Sequence, residues 1–302
     1  EEPPPGPLKR VSAVLEALPP LAPSWCALAE FTASYYQRSV GEVALSVLPP
    51  ELRKLTALQI DKRVARLKKS LDSSGKAAAN PPSPPPPATL PELTGEQAAA
   101  LQALHAEPHK PALLFGATGS GKTEVYLRAA QRALEAGAQV LVLVPENNLT
   151  PQLEERFAQR FPGRRLVSLH SALTPAQRLK NWLLAHMGAA DLVLGTRLAV
   201  FTPLARPGLI VVDEEHDSAY KQEDAPRYHG RDVAVYRARL EKAVILLGSA
   251  TPSMESRLNA IKERYAWLRL RSRVGPMGLA RVHIIDRKKQ KVPTAILTAP
   301  PV

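Results

Sequence analysis

The chain has 302 residues, long enough for two domains or for one large domain with an appendage. Its composition, 45% apolar and 23% charged, is that of a globular protein, and a single cysteine, Cys26, excludes a disulfide framework and any cysteine-based zinc site within this chain. The net charge of +12 is concentrated late, since residues 216–302 hold 17 basic and 8 acidic side chains; this suits a polyanionic partner, nucleic acid first, or a solvated basic face.

No apolar run reaches membrane-spanning length, and Glu1-Glu2-Pro3-Pro4-Pro5 does not read as a signal peptide, so a cytoplasmic protein without membrane contact is expected. Residues 8–54 read as short helices: Leu28, Phe31, Tyr35 and Tyr36 fall near helical spacing and predict a small core. Residues 55–72 form a basic amphipathic stretch, with Ala57, Ile60, Val64, Leu67 and Leu71 on one stripe and Lys62, Arg63, Arg66, Lys68 and Lys69 elsewhere. A helix packed on the protein and a DNA-backbone contact both fit it. Residues 73–91, rich in alanine, serine and proline, predict a semi-rigid linker.

From Leu93 the pattern becomes strand–helix alternation. Apolar runs at 112–115, 140–144, 166–169, 192–194, 209–212 and 243–247 are separated mostly by helical patterns, as in a parallel sheet buried on both faces. The fold class is α/β, a P-loop sheet of the RecA-like kind with flanking helices.

Thr94-Gly95-Glu96-Gln97 reads as a capping box, Thr94 to Gln97, ahead of a helix; the Gln97 amide could also read an adenine edge. After the first apolar run comes Gly116-Ala117-Thr118-Gly119-Ser120-Gly121-Lys122-Thr123. Gly116, Gly119 and Gly121 let backbone N–H groups curl around phosphate oxygens at a helix N-terminus, Lys122 reaches the β- and γ-phosphates, and the Thr123 hydroxyl meets Mg²⁺. Asp213 and Glu214 follow the 209–212 run at a strand's carboxyl end, where ligands of open α/β sheets bind. Asp213 is placed to hold Mg²⁺ and Glu214 to polarise the attacking water, with Lys122 as the third catalytic residue. Glu215 is expected to point away, and His216 to couple this loop to Ser249 and Thr251 in Gly248-Ser249-Ala250-Thr251-Pro252. Tyr220, Lys221, Arg227, Tyr228, His229 and Arg231 interleave rings with cations; that suits stacking on exposed bases, and equally a packed surface loop.

The strings GATGSGKTEVYL (116–127), LVPENNLTPQ (143–152), LHSALTPAQRLKNWL (169–183), GTRLAVFTPL (195–204), VVDEEHDSAYKQEDAPRYHGRDVAVYRA (211–238) and LGSATPSMES (247–256) together resemble the PriA family of replication-restart DNA helicases, in superfamily 2. Upstream, LKRVSAVLEAL (8–18) and ASYYQRSVGEVALSVLP (33–49) look like that family's DNA-binding region, whereas Asn147-Asn148 and Gly230 depart from its usual residues. The resemblance implies a partial DNA-binding region at 1–54, a basic helix and proline-rich linker at 55–92, an ATP-binding helicase lobe at 93–270, and at 271–302 the start of a connection to a second lobe. It implies that Gln97 reads adenine, and that Thr150, Arg197, Tyr220, Lys221, Arg227, Tyr228, His229 and Arg231 contact DNA. It further implies 3′-to-5′ translocation, action at stalled forks in primosome assembly, and forked and single-stranded DNA, single-strand-binding protein and primosome proteins as partners of a monomer. The family's zinc-binding cysteines and arginine finger would lie beyond Val302, so a one-lobe chain is expected to bind ATP better than it hydrolyses it. An ATPase-deficient scaffold that binds DNA and recruits partners is the competing expectation.

Overall fold

The computed structural model describes residues 11, 13–77, 90–224 and 226–274; the proline run at 81–87, residues 1–10, and 275–302 of the expected connection lie outside the described residues. Seven strands form one sheet: β1 (Ala112–Gly116), β2 (Gln139–Leu143), β3 (Leu166–Leu169), β4 (Leu192–Gly195), β5 (Pro207–Val212), β6 (Val244–Ser249) and β7 (Ala266–Leu270). Their order is β3-β4-β2-β5-β6-β1-β7 and every pairing is parallel. The first six coincide with the apolar runs. The seventh lies inside the expected lobe but has only a short apolar run, because Arg269 interrupts it.

Successive side chains of a strand point to opposite faces, and here both sets are apolar. Leu113, Leu141, Val193, Ile210 and Ile245 face one way; Leu114, Val142, Leu194, Val211 and Leu246 face the other. Over the second face lie α5 (Gly95–Ala106), α6 (Lys122–Glu135) and α7 (Pro151–Arg160). On the first lie α8 (Pro175–His186), α9 (Gly230–Glu241) and the amino-terminal helices α1 (Pro23–Tyr35), α2 (Val40–Val47) and α4 (Ala57–Ala77); α3 (Glu51–Lys54) is a single turn between them. The last helix, α10 (Met254–Ile261), precedes β7. Among the described residues no helix is long and apolar enough to cross a membrane.

The amino-terminal helices do not form a core of their own, contrary to the sequence expectation. So short a stretch buries too little surface to stand alone, and Trp25, Leu28, Val43, Ile60 and Val64 instead join the core of the sheet. Trp25 Nε1 donates to the Phe201 carbonyl at 2.7 Å, and Phe31 stacks on Tyr236 with ring centroids 3.5 Å apart. The Tyr36 hydroxyl accepts from the His229 N–H at 3.1 Å. In α4 the stripe of Ile60 and Val64 is buried and Lys62, Arg66, Lys68 and Lys69 face solvent, which is the packed-helix reading of that stretch.

Parallel strands put all their carboxyl ends on one edge of the sheet, and every loop with chemistry opens there. A buried polar group within the sheet is satisfied: Gln139, at the start of β2, accepts from the Ala205 and Arg206 N–H groups and donates to the Ala185 and Ala190 carbonyls.

Candidate nucleotide site

The loop between β1 and α6 has the geometry of a phosphate cradle. Gly119 and Gly121 sit at φ of +83° and +84°, where a side chain would be strained. A Cβ on Gly116 would strike the Ser120 hydroxyl, and one on Gly121 would strike the Gln97 amide. Lys122 and Thr123 open α6, so their N–H groups have no acceptor within the helix and face the position an anion would take. The Ser120 hydroxyl is buried without a hydrogen-bond partner. Free backbone donors, an orphaned hydroxyl and a buried lysine fit a polyphosphate. Lys122 Nζ donates to the Gly116 carbonyl at 2.9 Å and stands 3.7 Å from Glu214 Oε1.

The acidic motif meets this loop through α6. Asp213 Oδ1 accepts from the Tyr126 hydroxyl, one helical turn beyond Lys122, at 2.9 Å. Burial pushes the Asp213 carboxyl above its usual range and the neighbouring Glu214 charge adds to this, while the Tyr126 bond and Lys122 oppose it. Burial also raises the Tyr126 phenol well above its usual value, so it remains a donor. Sequence reasoning did not assign Tyr126 a role; its place at i+4 from Lys122 was the available signal. Gly248 must lack a side chain because a Cβ there would land on this phenol.

Glu214 is held at φ +44°, uncommon for a residue with a side chain. That turn sends consecutive side chains to different partners. Glu214 lies between Lys122 and His216, the latter at 3.5 Å. His216 Nδ1 is 2.7 Å from Ser249 Oγ and Nε2 is 3.2 Å from Thr251 Oγ1, so the imidazole joins the acidic motif to the turn after β6. Glu215 points the other way and is fully buried. It accepts from the Ser253 N–H (2.8 Å), Ser253 Oγ (3.0 Å), Ser256 Oγ (2.8 Å) and Arg231 Nη1 (3.0 Å).

Gln97 forms the capping box with Thr94 and also donates from Nε2 to the Gly121 carbonyl at 3.3 Å, so its buried amide braces the phosphate loop.

The residues expected on DNA divide. Lys221 and Arg227 are exposed, and Arg197 is partly so, with Nη1 donating to the Ala219 and Lys221 carbonyls. The rings of Tyr220 and Tyr228 are both buried and pack inside the lobe. The Tyr220 hydroxyl lies 2.6 Å from the Asp213 carbonyl and 3.0 Å from that of Leu143, bracing the acidic motif from behind. The Arg231 guanidinium is likewise buried, against Glu215. His229 is half-buried, pairing through its backbone with Lys221 and Tyr36. The Thr150 hydroxyl caps α7 through the Leu153 N–H at 3.3 Å. Segments 144–146, 196–199 and 219–222, with Pro49 and Pro50, enclose a cavity of about 380 Å³ on the β2–β4 side.

Residues 94–259 match the family model described as DEAD/DEAH box helicase, and residues 1–49 match one described as 3′ DNA-binding domain. The chain is 42% identical over 202 residues to a replication restart protein PriA of Bacillus subtilis, covering 66% of this chain and 25% of that protein. With the Haemophilus influenzae protein of the same name it is 48% identical over 180 residues, 60% of this chain and 24% of the relative. A Rickettsia prowazekii PriA aligns over 88% of this chain and 38% of its own length at 35% identity. The chain therefore spans about a quarter of the first two relatives' length.

Proposed function

Because the chain belongs to the DEAD/DEAH box helicase family, we propose that it is the ATP-binding lobe of a PriA-type 3′-to-5′ DNA helicase that acts at stalled replication forks. The observation that carries this reading is the contact between the phosphate loop and the acidic motif: Lys122 against Glu214, and Tyr126 of the same helix on Asp213.

Thr123 and Asp213 would hold the magnesium of Mg-ATP, and that ion would offset charge on the transferring phosphoryl group. Lys122 neutralises phosphate charge, and the loop's N–H groups and Ser120 orient it. Glu214 orients the attacking water, and its left-handed turn aims the carboxylate back at Lys122. His216 ties Glu214 to Ser249 and Thr251, giving a path between nucleotide and the strand-end loops. Gln97 holds the loop's shape and selects adenine. Exposed Lys221 and Arg227, with Arg197 and the 150 turn, lie on the single-stranded DNA path. Forked DNA, single-strand-binding protein and primosome proteins are the partners of this reading.

Binding of a fluorescent ATP analogue, with and without Lys122→Ala, tests the site: the variant should lose binding, and unchanged affinity would refute it. Phosphate release on adding single-stranded DNA separates the helicase from an ATPase-deficient scaffold, which binds but releases none.

A further inference from the structure

The sheet edge farthest from that DNA path carries a second charged feature. Among the described residues strand β7 pairs only with β1 and is the outer strand of the sheet. Trp267 and Arg269 share one face of β7, and Arg271 and Arg273 follow where the chain continues past the strand; the three arginines are exposed and Trp267 is half-buried. The strand ends at Leu270; the chain then bends at Ser272, and the Val274 N–H donates to the Gly119 carbonyl at 2.9 Å, so Arg271 and Arg273 follow the strand on the side of the phosphate loop. The Arg269 guanidinium lies 3.8 Å from the Trp267 ring centroid, which holds the first cation outward. Glu96 fixes the continuation by accepting from the Arg271 and Ser272 N–H groups at 2.7 and 3.1 Å. That carboxylate is engaged by backbone, and among the described residues no carboxylate lies within ion-pair distance of the three guanidinium groups. Exposed Lys262 and Arg264 flank the stripe.

We propose that Arg269, Arg271 and Arg273 form a second nucleic-acid contact, binding the phosphate backbone of duplex DNA at the β7 edge. Five strand spacings separate β7 from β4, whose end leads to Arg197. Arg197 and the outer strand are thus about 24 Å apart, a separation suited to two arms of a fork. The proposal deepens the helicase reading and rests on it. Charges on an exposed edge also discourage strand pairing between molecules, which by itself predicts no DNA affinity.

The test is fluorescence anisotropy of the full chain with duplex, single-stranded and forked oligonucleotides across about 50–200 mM salt. Arg269→Gln/Arg271→Gln/Arg273→Gln should lower the salt slope for duplex and fork by roughly 2–3, since each phosphate left unneutralised removes about 0.9. Single-strand affinity should stay within about twofold. Should the triple variant melt early, Arg271→Gln/Arg273→Gln leaves β7 intact and should give about two-thirds of the effect. Unchanged duplex binding, or an equal weakening on single strands, overturns the proposal alone. Failure of the wild-type chain to bind any DNA sinks the helicase reading with it.

Discussion

Replacing Glu215 with alanine removes the acceptor on which one turn and two helices converge. Its carboxylate is fully buried and takes four hydrogen bonds, from the turn after β6, from α10 and from the start of α9. The Arg231 side chain is 8% exposed and would keep a charge with only Asp232 and Ser253 beside it. Breaking a buried pair by removing one partner costs about 3–5 kcal/mol, of which two or three unsatisfied donors account for a large part. In a domain of this size each kcal/mol lowers the midpoint by roughly 2–4 °C, so thermal denaturation should show a drop of about 10 °C. The companion variant is Glu215→Leu/Arg231→Met, which removes both charges and keeps volume. It should recover at least half the loss, giving a coupling energy above about 1 kcal/mol. A Glu215→Ala stability within about 0.5 kcal/mol of wild type would refute the clamp.

Acid should destabilise the chain before its carboxylates titrate. Burial lowers the imidazoles of His186 and His229 below the ordinary 6.5. The folded state then binds fewer protons than the unfolded one, so their stabilisation is complete above 6.5 and is lost as pH falls through the depressed values. Midpoints should decline from about pH 7 to pH 5.5, His186→Gln should flatten the decline, and a level profile would contradict it. Trp25→Ala should cost about 3–5 kcal/mol by urea titration, from reduced burial and the missing bond to Phe201; a change below about 1 kcal/mol would mean that α1 is only loosely attached. Gly248→Ala sets a methyl on the Tyr126 hydroxyl. Breaking the Tyr126–Asp213 bond should weaken Mg-ATP binding about tenfold or more, measured by titration calorimetry, and wild-type affinity would show the phenol to be dispensable.

The sheet, and the proximity of the glycine-rich loop to the acidic motif, were legible because each is written locally. A strand buried on both faces needs an unbroken apolar run, and a phosphate loop needs its glycines and Lys-Thr at fixed spacing. Strand β7 escaped notice because edge exposure puts Arg269 where an inner strand has an apolar residue. Aromatic and basic residues in alternation do not say which way they point. Tyr220, Tyr228 and Arg231 turn inward because Asp213, Phe201 and Glu215 stand behind them. The attachment of the amino-terminal helices is non-local: Trp25 and Phe201 are 176 positions apart.

That attachment makes the first helices part of the lobe's interior wall. Tyr36 is bonded to the backbone where the 220–229 loop ends, and Phe31 lies flat on α9 just after it. A displacement of that loop therefore also tugs the helices that precede it in the chain. Severing the polypeptide between α4 and α5 should leave two pieces that travel and melt as one, with neither a soluble module by itself.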